Sequence, residues 1–250
     1  MKVLASTVVA LIAGCASNNN IDVSDEEYDD VAMSLASTLQ PAGGGGELGA
    51  MVDVGAIARG GMPAGFAPDG EGSLQGSHLG LAYRYALECR DANNRPVRPC
   101  DVRTANADAR VMWSGLLDLP NLVMVVERDG SWVVNDITDA ALRLDGEGDM
   151  TYETRIENPD RGITTTYELA YHASHRNIVL GRNERHPRGG VVLYELEAQR
   201  TRSGANAEDT RDFAVTAELR FAAGGRATIE LDGTRTYDLD LVTGSVVRTD

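Results

Sequence analysis

A mainly β, antiparallel fold led by one amphipathic helix is what this sequence predicts, and three observations carry that expectation. Apolar and polar residues alternate with period two through much of residues 78–250, the pattern of strands with one packed face and one wet face. Glycine-bearing turn signals such as Ala223-Gly224-Gly225, Asp232-Gly233 and Thr243-Gly244 separate the alternating runs. No helix-length periodic segment falls between them to make parallel crossovers. The expected body is an antiparallel sheet of roughly ten to twelve strands, folded as a sandwich, a barrel or a half-barrel.

The 250 residues carry 38 acids against 23 bases, a formal charge of −15. That balance excludes broad electrostatic affinity for nucleic acid, so no nucleic-acid partner is expected. With 42% hydrophobic residues the chain can bury a sizeable core. Lys2 is the only lysine, so lysine nucleophiles, Schiff bases and phosphate-loop lysines are excluded beyond that position.

At the start, Met1-Lys2 is a short positive segment and Val3 to Ala13 is apolar, too short to span a bilayer but suited to the core of a secretory signal. It ends in Ile12-Ala13-Gly14-Cys15. These fifteen residues resemble the lipobox leader of bacterial lipoproteins. The resemblance implies cleavage before Cys15, acylation of its sulfur, and a membrane partner reached through that lipid. Ala16 after the cysteine implies sorting to the outer membrane. The expected organisation is a leader over 1–14, a lipidated tether over 15–23, a helix with a Gly/Ala/Pro-rich linker over 24–77, and a β-domain over 78–250.

The helix opens on Ser24-Asp25-Glu26-Glu27, a capping box in which Glu27 reaches back to Ser24. Tyr28, Val31, Ala32, Leu35, Ala36 and Leu39 then form one apolar stripe, expected to pack on the protein's own domain, while Asp25, Glu26, Asp29 and Asp30 face outward. Pro41 and the glycines from Gly43 to Gly46 stop it. Glu47 to Arg59 reads as a short second helix weakened by Gly49 and Gly55, and Gly65 to Ser77 reads as loop.

From His78 the period is two. Leu79, Leu81, Tyr83, Tyr85, Leu87 and Cys89 share one face; Tyr167, Leu169 and Tyr171, then Val192, Tyr194 and Leu196, then Phe213 to Phe221, then Ile229, Leu231, Tyr237 and Leu239 repeat the pattern. Asp129-Gly130 reads as a further hairpin turn. Lack of aromatic girdles, with aromatics at 5%, argues against a transmembrane barrel.

Three cysteines are an odd number, but assigning Cys15 to lipid leaves Cys89 and Cys100 as a pair flanking a turn with Asn93-Asn94, Pro96 and Pro99. Outside the cytosol that pair is expected to oxidise into a structural disulfide.

Chemistry-bearing clusters are few. His172, His175 and His186 offer a zinc set for a metal-dependent hydrolase, but a spacing of three puts His172 and His175 on opposite faces of a strand, and Arg176, Arg182, Arg185 and Arg188 repel a cation. Those arginines are expected to pair with Glu184, Glu195 and Glu197. Asp145-Gly146-Glu147-Gly148-Asp149 opens like a calcium loop yet has Met150 and Ile156 where glycine and glutamate belong, so it reads as an acidic turn. No nucleophile motif is present. Tyr83, Tyr85, Tyr167, Tyr171, Tyr194 and Tyr237 all fall on apolar faces. In a curled sheet they would line a cavity for a hydrophobic or amphipathic ligand, each with a hydroxyl that needs a partner. The functional expectation is an outer-membrane lipoprotein with a non-catalytic binding or scaffolding domain and no cofactor, whose partner is an envelope protein. The alternatives are a carrier using the tyrosine face and the histidine hydrolase.

Overall fold

A computed structural model describes residues 23–39, 46–70, 72–78, 80–119, 122–158, 162–204 and 207–249. Cys15 with its leader, Pro41, Gly43 and Leu79 lie outside the described residues. Two helices come first, α1 (Asp25–Leu39) and α2 (Gly46–Ala58). Strands follow as β1 (Phe66–Pro68), β2 (Ser73–His78), β3 (Leu81–Arg90), β4 (Pro96–Val97), β5 (Asn106–Leu119), β6 (Leu122–Asn135) and β7 (Ala141–Asn158). The last six are β8 (Ile163–Gly181), β9 (Gly189–Gly204), β10 (Ala207–Ala222), β11 (Arg226–Leu231), β12 (Arg235–Asp240) and β13 (Ser245–Arg248).

All thirteen strands form one antiparallel sheet in chain order, with β4 as a side branch on β3. Among the described residues β1 and β13 do not pair with each other, so the sheet is an open sandwich and not a closed barrel. Its inner face, carrying the alternating apolar residues, wraps both helices. Val31, Ala32, Leu35, Ala36 and Leu39 of α1 and Leu48, Met51 and Val54 of α2 join the strand residues Val111, Val134, Leu144, Leu219 and Ile229 in one core. Burial of this kind contributes about 25 cal/mol for each Å² of apolar surface removed from water.

The capping box forms as expected: Ser24 N and Oγ donate to Glu27 Oε2 at 2.8 and 2.9 Å, and Glu27 N donates to Ser24 Oγ at 3.4 Å. The second helix ends at Gly60, whose φ of 83° suits a residue without Cβ, and Gly61 N donates to Ala56 O at 2.8 Å. Cys89 and Cys100 are disulfide-bonded with their Cα atoms 5.5 Å apart.

Two expectations fail. The segment read as loop over 65–77 holds β1 and β2, whose Gly, Ser and Gln content hides the alternation, so the sheet begins before residue 78. Asp129-Gly130 and the acidic segment 145–149 are not turns; they lie inside β6 and β7, where Asp129 pairs Asp149 and Gly130 pairs Gly148. The glycines serve space instead. A Cβ at Gly130 would sit 2.6 Å from Arg128 Nη1, and one at Gly148 would sit 3.0 Å from Nη2. Asp25, Glu26 and Asp29 of α1 face outward as expected and are paired there: Arg235 and Arg202 donate to Asp25 and Glu26 at 2.8 and 2.7 Å, and Tyr237 donates to Asp29 at 2.9 Å.

Candidate functional site

Each helix enters the sheet through a buried glutamate. Glu27 of α1 is fully buried and meets Arg200 Nη1 of β9 at 3.0 Å. Glu47 in the first turn of α2 meets Arg128 of β6 through two contacts of 2.7 Å, and His175 Nε2 of β8 at 2.9 Å. Arg128 also donates to Val111 O at 3.1 Å and stacks over the Trp132 ring at 4.9 Å. Burial is the largest influence on Glu47 and pushes its carboxyl up, yet the Arg128 charge and the His175 contact together outweigh it and hold the group at about 2.

The six tyrosines are where the alternation puts them, on the inner face, and all are buried. What they meet is mostly the chain's own helices. Tyr83 accepts from Gly46 N at 2.9 Å; Tyr85 donates to Asp53 at 3.2 Å; Tyr167 donates to Asp30; Tyr171 approaches Thr38 Oγ1 at 3.5 Å; and Tyr237 reaches Asp29. Tyr194 packs edge-on against Tyr171 at 5.2 Å. Burial pushes Tyr83 up to about 12 and Asp53 up to about 6, and it raises Tyr85 and Tyr194 well above the ordinary phenol range. Around Tyr83 and Tyr85 an aromatic cluster forms: Phe66 stacks on Tyr85 at 5.3 Å and Trp113 tilts against Tyr83 at 6.1 Å. Such a β fold with a buried aromatic cluster is the architecture of a ligand-binding or scaffolding domain.

The three histidines are not brought together. His175 is buried on the inner face, His172 points outward and contacts Asp149 at 2.9 Å, and His186 lies in the β8–β9 connection beside Gly225. Among the described residues no group of three or more His, Cys, Asp or Glu could hold a metal ion. Nearby, Arg182 donates to Thr138 O at 3.4 Å and Glu184 accepts from Gly181 N at 3.0 Å, contacts that the sequence did not suggest.

One opening in the sheet stands out. The β2 ladder ends where Ser73 faces Ala86, and the β4 ladder begins where Val97 faces Cys89. Between them, among the described residues, Leu87 and Glu88 of β3 have no strand on that side. A cavity of about 1580 Å³ lies at this notch. Its lining includes apolar residues such as Ile57, Leu74, Leu87 and Val97, with Tyr85 and Trp132 buried behind it, and charged outward residues such as Glu88, Asp108 and Arg110. Tyr85 alone of the six tyrosines borders it. Leu74 and Leu87 stay half-buried at its mouth and Met62 is 54% exposed. The disulfide pins β3 to Cys100 beside the opening.

From Leu87 one row of paired inner-face residues runs across the sheet: Ala109 of β5, Trp132 of β6, Gly146 of β7 and His175 of β8. All five border the cavity. The row is closely packed: Ala109, Trp132 and His175 are buried, and a Cβ on Gly146 would fall 2.1 Å from Ser131 O and 2.9 Å from Trp132 Cδ1. Comparison of the chain with protein-family models, with curated proteins and with solved structures gave no match. No described helix is long and apolar enough to cross a membrane.

Proposed function

We propose that this chain is a non-catalytic binding domain that takes an amphipathic ligand at the notch beside Leu87. The carrying observation is the break in the sheet at Leu87 and Glu88, with an apolar wall on its inner side and a charged rim outside. That sequence of surfaces suits a molecule with an apolar body. The helices already meet most of the tyrosine face, which supports placing the ligand at the notch rather than across that face.

A fluorescent apolar probe, N-phenylnaphthylamine, tests the reading. Its emission rises when it binds the folded protein, and Leu87→Asp, at a half-buried position, removes the rise while circular dichroism stays unchanged. Wild-type protein that leaves the probe dark refutes it.

The same proposal sets the domain on a lipid at Cys15, in the outer membrane of a bacterial envelope. Support comes from the apolar leader ending in Ile12-Ala13-Gly14-Cys15, and from a disulfide that fits an oxidising compartment. Mass spectrometry of the mature protein should find an acylated Cys15. A Cys15→Ser variant should leave the membrane fraction, and one that still pellets with membranes overturns the anchor.

A further inference from the structure

We infer that the end of the β5–β6 hairpin, through Leu116, Val123 and Val125, rests in the interface of a lipid bilayer and turns that end of the sheet toward the membrane. The inference goes beyond the notch as a ligand site, and it takes its direction from the proposed lipid at Cys15. Leu116 and Val125 are 51% and 53% exposed, and Val123 is 39% exposed. All three share the outer face: Leu116 pairs Val125 across the ladder, and Val123 lies two residues nearer the hairpin end of β6.

The residues around them set this hairpin apart from its neighbours. β5 closes on Leu116-Leu117-Asp118-Leu119 and β6 opens on Leu122-Val123-Met124-Val125, where Asp118 is the one charge. The matching ends of β7 and β8 read Arg155-Ile156-Glu157-Asn158 and Ile163-Thr164-Thr165-Thr166. Those of β9 and β10 read Thr201-Arg202-Ser203-Gly204 and Ala207-Glu208-Asp209-Thr210. A strand pair with one packed face and one wet face alternates apolar with polar residues, and here Asp118 alone stands for the polar half. A protein groove covers one face of such a ribbon, whereas lipid covers its end from every side. The contact is shallow. Exposed Glu153 pairs Val125 and exposed Glu127 follows two residues on, so these carboxylates stay at headgroup height; Arg155, opposite Val123, keeps its charged end there too.

Register puts the start of α1 at the same end of the sheet. Leu119 pairs Leu122, Leu122 pairs Ile156, Ile156 pairs Thr165 and Thr165 pairs Arg202, a single row across five strands. Arg202 holds Glu26 at 2.7 Å, so the first turn of α1 is tied to a point three strand steps from Leu122, about 14 Å. Val23, just before the helix, packs against the core. Eight residues separate Cys15 from Val23 and span at most about 29 Å, so a lipid on Cys15 keeps this end of the domain close to the membrane. A tether alone lets the domain turn; a second contact at the hairpin fixes its stance. Val133, beside the notch, lies ten residues along β6 from Val123, about 33 Å, so the notch opens away from the bilayer.

The full chain, reconstituted into phosphatidylcholine vesicles that carry a nitroxide near the headgroup end of the lipid tail, supplies the test. Val125→Cys and, separately, Val133→Cys take a nitrobenzoxadiazole label on the one thiol left free by the Cys89–Cys100 disulfide and an acylated Cys15. The label at position 125 should shift to the blue and lose emission to the nitroxide. The label at position 133, on the same strand and face, should keep its full emission. With the label on Val123→Cys, adding Leu116→Asn and Val125→Asn should abolish the quenching while circular dichroism stays unchanged. Equal emission from the labels at 125 and 133 on vesicle-bound protein overturns the hairpin contact and leaves the anchor and the notch standing; a dimer in sedimentation would then assign the patch to a second copy. Quenching that survives the two asparagines overturns it as well. Dye uptake at Cys15 by the unsubstituted chain overturns the anchor instead, and the same labels on a Cys15→Ser background then judge the hairpin by itself.

Discussion

Replacing Glu47 by glutamine probes the contact that seats α2 in the sheet. In the wild type its carboxylate is buried between Arg128, at 2.7 Å, and His175, at 2.9 Å. A neutral amide leaves the Arg128 guanidinium, whose side chain is 2% exposed, without its counter-charge. Breaking one half of a buried pair costs about 3–5 kcal/mol. Linkage gives a second route to the size: the carboxyl ordinarily titrates at 4.5 and is held at about 2 in the fold. That difference corresponds to about 3 kcal/mol of stability. The sign follows from the depressed value. The contribution is complete above the unfolded value of 4.5 and is lost as pH falls through the folded value of about 2. Urea unfolding followed by circular dichroism should place Glu47→Gln about 1 M below the wild type at neutral pH, for a chain whose denaturant slope is about 3 kcal/mol per molar. As pH drops between those two values the gap should close, because the protonated carboxyl and the amide become equivalent. Equal midpoints at neutral pH, or a gap that persists in strong acid, refutes the assignment of the Arg128–Glu47–His175 contact as a charged clamp.

Other perturbations follow from the same coordinates. Burial pushes Asp53 up to about 6 from 3.8, so the fold loses stability as pH rises between those values; Asp53→Asn should raise the melting temperature more at mildly alkaline pH than in acid, and an equal rise at both contradicts it. Reducing Cys89–Cys100 releases a loop closed over a sequence separation of 11 and should cost about 2.5–3 kcal/mol in denaturant unfolding, with no shift counting against the disulfide as a constraint on the unfolded chain. Gly130→Ala drives a methyl to 2.6 Å from Arg128 Nη1 and 2.7 Å from Glu147 O and should destabilise by about 1–3 kcal/mol. Gly49→Ala, with nothing within 4 Å of the new methyl, should instead stabilise α2 by about 0.5–1 kcal/mol, and thermal melts that rank the two in the other order refute the packing.

Much of the architecture was legible because the long strands write their inner face in alternation. Phe213 to Phe221 and Tyr167 to Tyr171 need no tertiary knowledge to be oriented, and the Ser24–Glu27 capping box is a local code. The buried charges were not legible. Arg128 follows Val126 and precedes Gly130 and Trp132 on the inner register, where its period marks it as inward but its chemistry suggests the surface. Its partner Glu47 is 81 residues away. The one local signal is glycine at Gly130 and Gly148, read as turns because acids flank them, when their role is to make room for the guanidinium. The notch at Leu87 was hidden for a different reason: it depends on where β2 stops and β4 starts, and the Ser-Leu-Gln-Gly-Ser-His run of β2 carries no alternation from which its end could be read.

The tyrosines and the inward arginines solve one problem, how a sheet holds helices rather than only covering them. An aliphatic face would bury α1 and α2 equally well in many registers, since apolar contact has no direction. A phenol or guanidinium adds a directed bond at the end of a long side chain. Tyr83 reaches Gly46 N, an amide of the first α2 turn that has no partner within the helix, while Arg200 and Arg128 meet the glutamates Glu27 and Glu47. Each contact lies near the start of a helix, where negative side chains are favoured by the helix dipole and where fixing one turn fixes the register of the rest. Buried ion pairs add little net stability over a well-packed apolar pair, so their gain is in uniqueness of placement. These contacts hold α1 across β8 to β13 and α2 against β3, β5, β6 and β8.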